Sequence, residues 1–117
     1  MNVETVDFLT IPTRDVERAI AFYTDVLGLE RGKTGEVETP NVTLSFWNPE
    51  KDGEQFVPLV GGFAIRVADV KEARRELEAQ GVEFIGETHD SGVCHMGFFK
   101  DPDGNTVILH RRYAPRG

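Results

Sequence analysis

The sequence predicts an α+β fold made of two copies of one strand–helix unit, and an internal repeat is the main reason. Residues 8–19 align with residues 62–73 at an offset of 54 positions. In this alignment Asp15 matches Asp69, and each aspartate stands where it can cap a helix. Each copy contains an alternating strand, an amphipathic helix and a closing glycine. Two such units can fold against each other and leave a cavity between their sheets.

Length and composition limit the class of protein. The chain has 117 residues, which suits one domain over residues 1–117 with modules at about 3–60 and 61–111. A net charge of −7 argues against a nucleic-acid partner. No apolar run reaches the length of a membrane span, and no signal peptide is evident, so we expect a cytoplasmic protein. The single cysteine, Cys94, excludes an internal disulfide.

In the first module the residue pattern predicts a strand, a helix and three further strands. Asp15 caps the helix, which continues to about Leu27 and ends at Gly28. Alternation of apolar and polar residues defines the strands. They are predicted at Val3–Pro12, Leu29–Lys33, Asn41–Trp47 and Gln55–Val60.

The second module repeats this order. Asp69 and Glu72 form a variant of the capping box, and the helix ends at Gly81. In the strand before it, Arg66 lies on the face opposite Phe63. Strands are predicted near Val82–Ile85, Val93–Lys100 and Thr106–Arg111.

The turn Asp101–Gly104 fixes the register of the last two strands. A two-residue hairpin loop needs a positive φ that Pro102 cannot adopt, so we expect a type I turn with Gly104 as a left-handed bulge. That register pairs Met96 with His110. One face then holds Cys94, Met96, Phe98, Ile108 and His110, and the other holds His95, Gly97, Phe99, Val107 and Leu109.

Three segments resemble signatures of the vicinal oxygen chelate superfamily, which includes glyoxalase I, bleomycin and fosfomycin resistance proteins and extradiol dioxygenases. They are Asp15–Gly28, Arg66–Val70 and Asp101–Asn105, and together the resemblance covers about Val6 to His110. It implies two tandem βαβββ modules that form a curved sheet around a central cavity. It also implies a homodimer.

The resemblance implies where metal ligands would stand in metal-dependent members, and these positions hold no donors here. The three assignable ligand positions fall on Phe8, Gly62 and Ile108, whose side chains offer no nitrogen or oxygen. We therefore expect no metal and no other cofactor. The fourth position is ambiguous, with Leu44, Phe56 and Val57 as apolar candidates and Glu54 as the nearby carboxylate.

His110 is the titratable residue that the predicted register places on the concave face, so it is the candidate catalytic or ligand-orienting group. A structural role for it stays open. Arg66 suits either a carboxylate or phosphate clamp or a salt bridge, and Trp47 suits either ligand stacking or packing. No site role is expected for His89, His95 or Cys94. The predicted ligand-binding residues are Phe8, Thr10, Trp47, Arg66, Met96, Phe98 and Ile108.

Three functional hypotheses follow. The first is metal-independent binding of a small apolar or aromatic molecule in the cavity between the sheets, because the scaffold is present without its ligand set. The second is a metal-dependent lyase or dioxygenase with relocated ligands, such as His110, Glu54 and His95. The third is a metal-free enzyme that uses His110 as acid or base.

Overall fold

Two four-stranded mixed sheets, each with one helix, make up the structure, a computed structural model that describes residues 1–115. The first sheet belongs to the unit Met1–Pro58 and the second to the unit that begins at Leu59. Each unit runs strand, helix, strand, strand, strand, which confirms the predicted α+β class and its two tandem modules. Within residues 1–115, no helix combines the length and the apolar character that a bilayer crossing requires.

In the first unit, the first strand pairs in parallel with the last, and the remaining pairs are antiparallel. The strand order is β1-β4-β3-β2. One face of this sheet packs against the helical segment and is buried there. For example, the ring of Tyr23 from the helical segment lies 4.9 Å from the ring of Phe46 on the sheet. The elements are β1 (Phe8–Pro12), α1 (Val16–Ala21), β2 (Glu30–Arg31), β3 (Glu36–Glu38) and β4 (Thr43–Trp47), with a π turn over Phe22–Val26 and a 3-10 turn over Pro49–Asp52.

The first helix begins as predicted and ends differently. The carboxylate of Asp15 accepts a hydrogen bond from the backbone N–H of Arg18 at 3.1 Å. The α-helix stops at Ala21 and continues as the π turn, where the hydroxyl of Thr24 donates to the carbonyl of Ile20 at 2.9 Å. A hydroxyl that donates to a carbonyl of the helix competes with a backbone N–H for that carbonyl and widens the turn. Gly28 then adopts φ +75°, the left-handed conformation predicted for it.

The predicted strand at Gln55–Val60 is wrong, and the strand β3 was missed. Pro58 has no N–H for a ladder, and the apolar signal came from Phe56, which is buried and lies under the Arg14 guanidinium at 4.1 Å. The strand β3 has only three residues, of which Val37 alone is apolar, so alternation could not reveal it. The three predicted strands that do form are shorter than the predicted ranges.

The second unit has strand order β5-β8-β7-β6, with a parallel β5–β8 pair and antiparallel neighbours elsewhere. Asp69 caps its helix by accepting from the backbone N–H of Glu72 at 3.0 Å, and the Glu72 carboxylate accepts from Arg75. The strand that follows the helix continues to Asp90, beyond the predicted end at Ile85, so His89 lies in a strand. The elements are β5 (Phe63–Arg66), α2 (Val70–Ala79), β6 (Phe84–Asp90), β7 (Cys94–Lys100) and β8 (Thr106–Arg112).

The β7–β8 hairpin has the predicted turn and register. The N–H of Gly104 donates to the carbonyl of Asp101 at 3.0 Å, and Gly104 has φ +88°. Met96 pairs with His110, as the turn chemistry required. The two histidines of this hairpin, His95 and His110, therefore lie on opposite faces of the sheet.

A buried carboxylate holds this turn together. Asp101 is 5% exposed, and its Oδ1 accepts from the backbone N–H groups of Asp103 and Asn105, each at 2.9 Å. Its Oδ2 accepts from the side-chain amide of Asn105 at 2.9 Å. The amide oxygen of Asn105 accepts from the N–H of Leu59 at 2.8 Å, so the turn also fixes the chain that enters the unit.

We expect Asp101→Ala to lower the free energy of unfolding by about 3 kcal/mol, because buried N–H groups lose a charged acceptor. Urea unfolding followed by circular dichroism measures this. Pro102→Ala, at an exposed position of the same turn, is the matched control and should change stability by less than about 1 kcal/mol. Equal effects of the two substitutions would contradict the role given to the carboxylate.

Candidate functional site

The sheet of the second unit has a face covered by its helix and a face turned away from it, which we call the open face. On the covered side, Phe99, Val107 and Leu109 are at most 1% exposed, and Gly97 lies against Val70. Alternation along the strands puts the residues between these on the open face, and four of them, Met96, Phe98, Ile108 and His110, are half-buried. The open face is therefore the surface on which these strands can offer side chains to a ligand.

One line of residues across the open face is polar and sulfur-containing. His89 pairs with Met96, Met96 with His110, and His110 with Arg66, so that each of the four strands contributes one residue. We call these four residues the polar row. Neighbouring strands lie about 4.8 Å apart, so the row is about 14 Å long.

A second line, two residues further along β7 and β8, is apolar. Ile85 pairs with Phe98, Phe98 with Ile108, and Ile108 with Ala64. We call these four residues the apolar row. Ile85 is 50% exposed, and Phe98 and Ile108 are half-buried. The two rows together form an apolar strip bordered by cationic and imidazole groups.

The cationic side of this face has capacity to bind an anion. Neither the guanidinium of Arg66 nor the imidazole of His110 has an ion-pair or hydrogen-bond partner among residues 1–115. Of the two alternatives for Arg66, the salt bridge is thus not formed within that part of the chain. Arg112, which pairs with Cys94 one step beyond the polar row, adds a second guanidinium whose Nε is buried without a partner in the described residues.

Alternation along the sequence did not place His89 on the open face, because a bulge changes the register of β6. The pairing shifts between Ile85 and His89, and Gly86 within this stretch has φ +67°. A glycine inside a strand pattern signals a bulge, and this signal could have been used. The shift brings His89 beside Met96 and into the polar row.

Three predicted ligand-binding residues lie on the sheet of the first unit instead. Phe8 pairs with Thr43, Thr10 with Ser45, and Pro12 with Trp47, so these side chains share the face away from α1. Trp47 is 39% exposed, and its indole N–H donates to Asp52 at 2.7 Å. This face carries acidic residues and is unlike the open face of the second unit. They are Glu30, Glu36 and Glu38.

His95 belongs to a structural cluster at the end of the second unit. Its Nε2 lies 3.2 Å from an Asp90 oxygen, and its ring lies 4.8 Å from the ring of Tyr113. The hydroxyl of Tyr113 donates to Asp90 at 2.8 Å, and the N–H of Gly92 donates to the same oxygen at 2.9 Å. These donors, first Gly92 and then Tyr113, hold the pKa of Asp90 below its ordinary value. Donating its hydroxyl hydrogen to the Asp90 carboxylate raises the pKa of Tyr113.

The positions implied for a metal do not suit one. Phe8 and Ile108 supply no donor atom, and Gly62 has φ +71° with the Thr106 carbonyl oxygen 2.0 Å from where a Cβ would stand. Any side chain at position 62 would collide with that carbonyl. No three His, Cys, Asp or Glu side chains gather around a common point within residues 1–115. The alternative ligand set of His110, Glu54 and His95 does not converge either, because His95 and His110 lie on opposite faces of the sheet.

A shallow surface groove of about 280 Å³ lies elsewhere, on the first unit. Its walls are residues 5–7 and residues 38–43. None of the predicted site residues lines it, and its walls are mainly polar. The open face of the second unit is the better candidate, because it combines apolar side chains with the Arg66 guanidinium, which has no partner in the described part of the chain.

Comparisons of the sequence and of the structure with known proteins point to the same family. The sequence model of the Glyoxalase/Bleomycin resistance protein/Dioxygenase superfamily matches residues 5–109. A probable lactoylglutathione lyase from Vibrio parahaemolyticus is 28% identical, with 88% of each chain covered.

Solved structures agree in fold. A member of the same superfamily from Sphaerobacter thermophilus superposes with a TM-score of 0.80 at 25% identity, covering 92% of this chain and 97% of its own. An antibiotic binding protein from Streptomyces sp. CB03234 superposes with a TM-score of 0.77 at 21% identity, covering 96% and 98%. At such identity the second likeness concerns the fold alone.

Proposed function

The chain belongs to the Glyoxalase/Bleomycin resistance protein/Dioxygenase superfamily, and we propose that it binds a small planar molecule that is largely apolar and carries one anionic group. The proposed binding surface is the open face of the second unit, and the proposed binding needs no divalent metal. The observation that carries this proposal is the juxtaposition of the apolar row and the polar row on one face.

In this proposal each row binds a different part of the ligand: the apolar row contacts the ring, and the polar row binds the anionic group. An aromatic ring laid on Phe98 and Ile108 removes apolar surface from water on both sides, which is the main favourable term for such a ligand. Arg66 then clamps the anionic group, since a guanidinium offers two parallel donors to a carboxylate. His110, beside Arg66 and Met96, orients the same group. Pockets of this kind combine apolar walls with few polar anchors.

The first unit contributes a separate set of predicted contacts. Phe8, Thr10 and Trp47 share the face of that sheet away from α1, where the Trp47 ring is partly exposed. The bond from its N–H to Asp52 fixes the orientation of the indole, which lowers the entropy lost on stacking. We retain these three residues as proposed ligand contacts. The acidic residues around them favour an apolar or cationic part of a ligand.

A second candidate function is catalysis by a lyase that uses His110 as acid or base. The 28% identity to a probable lactoylglutathione lyase is the observation in its favour. Formation or breakdown of lactoylglutathione by the purified protein, lost in His110→Ala, would establish it. Turnover that required an added divalent metal would favour the metal-dependent alternative.

We expect the purified protein to hold no stoichiometric transition metal, because the implied ligand positions offer a phenylalanine, a glycine and an isoleucine. Elemental analysis after purification without chelator measures this. One equivalent of zinc, iron, nickel or manganese per chain, lost in His110→Ala, would overturn the proposal. Metal retained in His110→Ala would point to a different site.

We expect planar aromatic acids to raise the melting temperature, with about 2.7 kcal/mol of stabilisation at 100 times the dissociation constant. For any acid that binds, Phe98→Ala and Arg66→Ala should each weaken binding at least about tenfold. His95→Ala is the control and should leave affinity unchanged. The carboxamide of the same ring system should bind more weakly than the acid, and equal affinity would contradict an anion site.

We also propose a homodimer. End strands of each sheet present free backbone groups, and apolar side chains such as Val57 and Val60 are 60% and 81% exposed. Light scattering at micromolar concentration should give twice the mass of one chain; a stable monomer would contradict this.

We further propose a cytoplasmic location with no nucleic-acid or membrane partner, supported by the net charge of −7 and the free thiol of Cys94.

A further inference from the structure

The bulge in β6 decides which residue of that strand joins the polar row. Ile85 pairs with Phe98, and the next pair toward the hairpin turn is His89 with Met96. This is four steps along β6 against two along β7, so β6 carries two extra residues between the pairs. Because the number of extra residues is even, the alternation of faces is the same on both sides of the bulge.

Both flanks of the bulge are anchored. Before it, the ring of Phe84 lies 5.1 Å from the ring of Phe99 on the covered face. After it, Asp90 is held by His95 and by the hydroxyl of Tyr113. The extra residues are therefore confined between two fixed points.

A single side chain holds the bulge itself. The guanidinium of Arg74 donates to the carbonyl of Gly86 at 2.9 Å and to the hydroxyl of Thr88 at 3.2 Å. Its plane lies over the ring of Phe84 at 4.7 Å, and its Nε lies 3.3 Å from a Glu78 oxygen. The side chain is only 17% exposed. Arg74 thus satisfies backbone and side-chain groups that the bulge removes from the ladder.

Without the bulge, pairing that continues from Ile85 would bring Glu87 opposite Met96 in place of His89. A carboxylate would then stand at the β6 end of the polar row, three strand spacings from Arg66, and would repel an anionic ligand that extends along the row. The bulge exchanges an acidic residue for an imidazole at this point of the face.

We infer that Arg74 is a positioning residue that holds the β6 bulge in the register presenting His89, and not Glu87, beside Met96, and thereby sets the preference of the open face for an anion. The inference rests on the proposed function for its ligand part. Its structural part concerns the pairing of β6 with β7 and can be measured on the protein alone.

The first test is structural and needs no ligand. In the wild-type protein, interstrand nuclear Overhauser effects should connect the backbones of His89 and Met96. In Arg74→Met, contacts from Glu87 to Met96 should replace them. Gly86→Ala should give the same change by another route, because Gly86 has φ +67° and open space around a Cβ, so only the left-handed conformation is penalised. It also serves if Arg74→Met fails to fold.

Two matched controls separate register from general stability. Arg75→Met removes the neighbouring arginine of α2, whose partner is Glu72. Gly81→Ala places the same penalty at φ +91° after that helix, again with open space. Both controls should keep the contacts between His89 and Met96. Unchanged pairing in Arg74→Met and Gly86→Ala would overturn the inference whatever the protein binds.

The second test uses 2-naphthoate and 2-naphthamide as probes. The ratio of their affinities should fall at least about tenfold in Gly86→Ala and stay unchanged in Gly81→Ala. A changed register with an unchanged ratio would overturn the role of the bulge in anion preference. A wild-type protein that binds neither probe nor any other aromatic acid would instead refute the proposed function, while the structural result on Arg74 would stand.

Discussion

The carboxylate of Asp101 is the constraint on which the rest of the second unit depends. By accepting three N–H groups inside the turn, it fixes a type I turn with a left-handed glycine and therefore one register for β7 and β8. A slip of one residue would exchange every side chain between the covered face and the open face. The placement of His110 beside Met96, and of Phe98 beside Ile108, follows from this one buried group.

The repeat makes the two units alike in backbone and leaves their open faces free to differ. Both helices begin at a capping aspartate, and each unit pairs its first strand in parallel with its last. The faces away from the helices have no such constraint, because among residues 1–115 the buried core of each unit lies on the helix side of its sheet. One face consequently carries Glu36 and Glu38, and the other carries Arg66 and His110. The shared fold explains the common scaffold, and the residues on the two open faces account for the difference in their charge.

The fold could be predicted from the sequence wherever local chemistry was decisive, as with the two helix caps and the Pro102 turn. The placement of the candidate site residues could be predicted only in part. Alternation and the turn correctly brought Arg66, His110 and Phe98 onto one face, but the fourth strand of that face needed the bulge at Gly86. A bulge is stabilised by a contact from another element, here Arg74 on the helix, and such a contact is not visible in local sequence.

This chain departs from a metal-binding arrangement in two different ways. At Phe8 and Ile108 the departure lies in the side chain, and a single substitution would supply a donor atom. At Gly62 it lies in the backbone, since φ is +71° and a Cβ would meet the Thr106 carbonyl at 2.0 Å. A donor there requires the start of β5 to move relative to β8, which the bond from the Thr106 N–H to the Leu59 carbonyl opposes. The local backbone of the second unit, and not only its side chains, is therefore built for an open face without a donor at that position.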